Sequence, residues 1–245
     1  MEPGSQSAPE FLGRLETLRS PEELLKYKRY FKTRPGEYGE GDVFMGVRMG
    51  QVFALAKEFA DMDLAGIEAL LDERFHEPRA GAVRIMATQA RGKRTPDTQR
   101  RALYELYLRR HDRINDWDLV DLGAWDVVGR WLLDKPRDVL DELARSSNMW
   151  ERRTAILATM AFIRNGEVED TFRIAEMLLS DEQDLIHKAV GWALRAAGDR
   201  DRPRLRAFLD RHAATMPRTT LRYALEHVND PDRARYMGLR KVATR

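Results

Sequence analysis

The feature that most constrains this chain is the three-and-four spacing of its apolar residues, broken by prolines and glycines every 20 to 40 residues, very roughly. Ile67, Leu70 and Leu71 form one stripe, Val83, Ile85 and Met86 a second, and Leu103, Leu106 and Tyr107 a third. Val120, Ala124, Val127, Val128 and Trp131 continue the pattern. Residues so spaced share one helix face, so each stripe predicts an amphipathic helix with one side buried. Breaks are expected near Pro78, Pro96, Pro136, Asn165-Gly166, Gly198 and Pro217. No run of alternating β-branched residues competes, and the chain reads as all-α. Helix pairs of this length stack into a HEAT-like solenoid, whose concave face is a ready surface for a long ligand.

This reading expects one solenoid domain over residues 10–237, a disordered tail over 1–9 and a second tail over 238–245. Ser20-Pro21-Glu22-Glu23 joins a cap residue, a proline and first-turn acids, so a helix is expected from there to Phe31. The stretch Gly36 to Asp42 has three glycines and reads as a loop; its acids argue against a phosphate cradle.

Charge and cysteine content narrow the chemistry. The formal charge is +2 while 33% of residues are charged, so any nucleic-acid site is a local patch on a surface of mixed sign. The absence of cysteine excludes disulfides, thiol nucleophiles and thiolate-bound metal. The first nine residues lack the features of a signal peptide, and nowhere do roughly 18 apolar residues run together, so a cytoplasmic protein outside the membrane is expected. His76, His111, His187, His212 and His227 are scattered without ligand spacing. His76-Glu77-Pro78-Arg79 lacks the second histidine of a zinc-protease helix, and Gly92-Lys93-Arg94-Thr95 lacks the upstream glycine of a phosphate loop. No metal or cofactor is expected.

Three stretches carry candidate chemistry. Trp117, Asp121 and Trp125 follow one another at four-residue steps, with Asp121 about 100° from the core-facing Val120. Either Asp118 or Asp121 caps a helix and the indoles pack, or an indole and a carboxylate line a site. Arg153 lies on a helix that is apolar most of the way round, and a central arginine needs an anion partner, a structural carboxylate or a bound phosphate. Lys188, Trp192 and Arg195 leave the stripe of Ile186, Ala189, Val190, Ala193 and Leu194 on a separate face. They suit phosphates and a sugar or base, or else a packed indole beside two solvated cations. Arg218 and Arg222 follow as further basic candidates, with Lys32, Arg91, Lys93 and Arg94 ranked below them.

The segments Ile114 to Asp121, Asn148 to Arg153 and Lys188 to Arg195, in that order, resemble the AlkD-type DNA alkylation repair glycosylases, and the similarity extends from about Tyr30 to Arg222. The resemblance implies a HEAT-like solenoid with a basic concave face for duplex DNA. It implies excision of positively charged alkylpurines such as 7-methylguanine and 3-methyladenine without flipping the base. It further implies that Trp117 and Trp192 contact the lesion-bearing nucleotide, that Asp121 is the catalytic carboxylate and Arg153 the functional arginine, and that Tyr30 matches an N-terminal aromatic. Lys188, Arg195, Arg218 and Arg222 are the expected phosphate contacts. The expected partner is duplex DNA containing alkylated bases, met by a monomer with no obligate protein partner. Two other readings are a noncatalytic binder of damaged or branched DNA and a HEAT-like protein-interaction scaffold.

Overall fold

Polar side chains cap the starts of several helices. Ser20 Oγ accepts from the Glu23 amide at 3.3 Å and Pro21 occupies the first helical position, so the helix runs Pro21–Tyr30. Asp63, Asn148, Asp201 and Asn229 cap later helices in the same way. Each cap satisfies an amide that the helix start leaves unpaired, typically about 1 kcal/mol. The computed structural model describes residues 6–239. Among these the chain is all-α, with one isolated bridge between Val43 and Phe75 and no strand. No helix among them is long and apolar enough to cross a membrane.

Where one domain is expected, the chain divides into two compact units, Met1–Trp131 and Leu132–Arg245. In the first, the helix His76–Arg91 is buried along most of its length and packs against Met49–Glu58, Leu64–Asp72 and Trp117–Gly123. In the second, Asp184–Arg200 is central, packed by Met149–Ala158, Glu169–Met177, Arg202–His212 and Arg218–Ala224.

Several expectations are corrected. The first helix begins at Ala8, inside the expected tail: Ser7 Oγ accepts from the Glu10 amide, Ala8 is buried, and Gln6 Oε1 accepts from the Asp61 amide at 2.8 Å. Residues 1–5 of that tail, and 240–245 of the other, lie outside the described residues. Pro78 sits in the first turn of His76–Arg91, where a missing N–H leaves no bond unmade, so the break falls just before it. Gly198 lies within Asp184–Arg200 instead of ending it; a Cβ there would run into Leu205, so glycine lets the next helix approach. Gly166, by contrast, has φ +86 and does end a helix.

Candidate active site

The Trp117 helix begins with Asp116, whose side chain accepts from the Trp117 amide at 2.6 Å. The start is therefore capped by neither Asp118 nor Asp121. Asp118 Oδ2 bonds to His76 Nε2 at 2.8 Å, and its other oxygen accepts from the Leu119 amide. Asp121, one turn on, is half-buried in the wall of a cavity of about 410 Å³ with Trp117, Tyr30, Phe31 and Phe53. No lysine or arginine is among the residues lining that cavity.

The aromatic wall holds itself in place. Phe31 stacks on Trp117 with ring centres 5.9 Å apart and planes 21° apart, and Tyr30 meets the indole edge-on at 6.0 Å. Tyr30 is 65% exposed, so its ring remains available to a ligand. Tyr27 donates to the Val47 carbonyl at 2.7 Å and accepts from the Met49 amide at 3.0 Å. Burial pushes its phenol up to about 12, so it stays a donor at neutral pH. After Gly123 the helix widens into a π-helical turn, Ala124–Gly129. The change of period ends the four-residue register, and Trp125 does not line the cavity.

Behind this wall lies a buried polar layer that the sequence reading passed over. His76 and Asp116 are fully buried. Glu77 accepts from the amides of Met45, Gly46 and Val47 at 2.9, 2.8 and 3.1 Å, and Arg79 donates to Asp42 at 2.6 Å and to Asn115. Burial pushes the Asp116 carboxyl well above the usual carboxylate range, and the nearby Asp118 charge adds to it. Burial opposes the charged form of His76, but the Asp118 carboxylate outweighs it and raises the imidazole above its ordinary value. The available signal was the run His76-Glu77-Pro78-Arg79, ionisable residues opening a helix whose later residues are apolar.

The second unit holds the remaining candidates. Arg153 is 5% exposed and donates to the Leu185 carbonyl at 2.6 Å, in the first turn of Asp184–Arg200. Trp192 is half-buried on that helix, beside Gly191, which a Cβ would bring to 2.7 Å from the Thr220 carbonyl. Lys188 pairs with Asp184 at 2.7 Å and Arg195 with Glu226. Arg218 donates to the Met237 and Leu239 carbonyls, tying down the last helix. Arg222 is exposed, lies 5.9 Å from its neighbour's ring, Tyr223, and has no carboxylate partner among the described residues. Trp117, Asp121 and Tyr30 thus share one cavity in the first unit, and Arg153 meets the Trp192 helix in the second.

Comparison with known proteins agrees with this architecture. A solved structure described as a predicted DNA alkylation repair enzyme from Enterococcus faecalis matches with a TM-score of 0.68 at 17% identity, over 86% of this chain and 97% of that one, a likeness of fold. No curated protein matches the sequence. The family described as DNA alkylation repair enzyme matches residues 12–228, most of the chain, and to that family the chain belongs.

Proposed function

We propose that the protein is a DNA glycosylase that hydrolyses the N-glycosidic bond of positively charged alkylpurines, such as 7-methylguanine and 3-methyladenine, in duplex DNA without flipping the base. The observation that carries the reading is the half-buried Asp121 in an aromatic-walled cavity with no basic residue in its lining. Such a wall suits a cation, and the reaction generates one.

Alkylation at a ring nitrogen makes the purine cationic, so the C1′–N bond breaks with its electron pair returning to the base, which leaves neutral. No strong general acid is needed. The deoxyribose becomes cation-like as the bond stretches, and an ionised Asp121 stabilises it, an effect typically of about 3 to 4 kcal/mol. Water then bonds to C1′ and gives up a proton to Asp121 or to solvent. The Trp117 face adds apolar contact and attracts the developing charge. Arg153 and Trp192 are assigned to the lesion-bearing strand, with Lys188, Arg195, Arg218 and Arg222 as phosphate contacts. Lys188 and Arg195 exchange an acidic partner for phosphate; for Lys188 the cost is small because exposed ion pairs contribute about 0 to 1 kcal/mol. The helix pairs of each unit are read as HEAT-like repeats.

The test is release of free base from defined duplexes carrying 7-methylguanine, 3-methyladenine or a neutral lesion such as uracil. The proposal expects release of the cationic purines and not of uracil. Salt-sensitive DNA binding without release would establish the noncatalytic binder instead, and absence of DNA binding the protein scaffold.

A further inference from the structure

Asp42, His76 and Asp116 come from three separate segments: the glycine-rich loop, the start of His76–Arg91 and the cap of the Trp117 helix. Each offers a donor atom, and these atoms all lie within 4.8 Å of one another. Two of these residues also carry a buried atom without a hydrogen-bond partner: His76 Nδ1 and Asp116 Oδ2. Both residues are 0% exposed. An orphaned acceptor in the interior typically costs about 1 to 3 kcal/mol, and more for a charged group. Two orphaned atoms on residues of one close cluster point to an occupant.

We propose that Asp42, His76 Nδ1 and Asp116 Oδ2 form a binding site for one divalent first-row metal ion, which fastens the loop and both helices together behind the aromatic cavity. One imidazole with two carboxylates and no thiolate suits Zn²⁺, Mn²⁺, Fe²⁺ or Co²⁺. Bonds of about 2.0 to 2.2 Å place ligand atoms roughly 3 to 3.5 Å apart, a closure that small side-chain rotations supply.

The surroundings match what a metal-ligating histidine needs. Its other nitrogen, Nε2, bonds to Asp118 Oδ2 at 2.8 Å, which fixes ring orientation and leaves Nδ1 for the ion. Asp116 Oδ1 is held by the Trp117 amide and Asp42 Oδ1 by Arg79. Once the ion has displaced their protons, three carboxylates (Asp42, Asp116, Asp118), one guanidinium (Arg79) and a neutral imidazole leave a charge that a divalent ion balances. Glu77 is separately satisfied by three amides. Asp42 also lines a cavity of about 490 Å³ beside Arg34 and Phe44, which gives the ion a way in. The site is independent of the proposed glycosylase chemistry.

The test uses the full chain, stripped with a chelator and titrated with Zn²⁺ and with Co²⁺. The expected results are one ion bound per chain, a visible Co²⁺ absorption band, and a thermal midpoint raised by at least about 4 °C at saturating Zn²⁺. Asp116→Asn should abolish all three. Asp42→Asn, at the solvent side of the cluster, should weaken binding at least roughly tenfold and serves if the first variant does not fold. No bound ion in the wild type, or undiminished binding in the folded variants, would overturn the proposal.

Discussion

The Trp117 and Trp192 segments use the same residue types in opposite ways. Around Trp117 the charge that faces the cavity is negative, Asp118 and Asp121, and aromatic rings fill the rest of the wall. Around Trp192 the charge is positive, and Lys188 and Arg195 each hold an acid of their own unit. A carboxylate among aromatic rings is placed to act on a cation. Paired cations on a helix face are placed to trade one anion for another. Under the proposed function, the difference separates a region for bond breaking from one for gripping a backbone.

That separation can be attacked at four points. Glu77→Gln should cost most, about 3 kcal/mol, because a buried carboxylate serves three backbone amides; the thermal midpoint should fall by about 6 to 12 °C. A loss below about 1 kcal/mol would mean that the segment under the cavity is held by something else. Gly191→Ala should cost about 2 kcal/mol in urea melts, since the new Cβ meets the Thr220 backbone carbonyl, which moves only with its helix. Trp117→Ala should lower the rate of base release about tenfold while leaving DNA affinity nearly unchanged. An equal fall in affinity would move Trp117 to the gripping side of the comparison. Smallest, Lys188→Ala and Arg195→Ala should each weaken binding uniformly across sequences and reduce the salt slope by about 1, without changing the rate for bound substrate.

Much of the fold was legible because its signals are local. Ser20 with Pro21, Pro96, Gly166 and Pro217 mark helix ends through rules that involve only a few neighbouring residues. The break expected near Gly198 falls two residues on, after Arg200, and the glycine itself serves the close approach of the next helix. Trp117 with Asp121 was readable as a one-turn spacing, but Trp125 was not, because the π-helical turn changes the period between them. The Lys188 partner lies four residues away and could have been anticipated; Glu226, the partner of Arg195, is distant in sequence. The cluster of Asp42, His76 and Asp116 was invisible for the same reason, since three separate segments supply it.

The central claim is that Asp121 acts on the reacting sugar. Its most direct test is the single-turnover rate of 7-methylguanine release, with protein in excess over DNA, for the wild type and Asp121→Asn. Folding and DNA binding of the two should first be shown to agree. The account predicts a fall of roughly 100-fold to 1000-fold with affinity preserved, as expected when a preorganised charge is removed from a transition state. A rate within about threefold of wild type, on a folded variant that binds DNA normally, would contradict it and place the chemistry elsewhere.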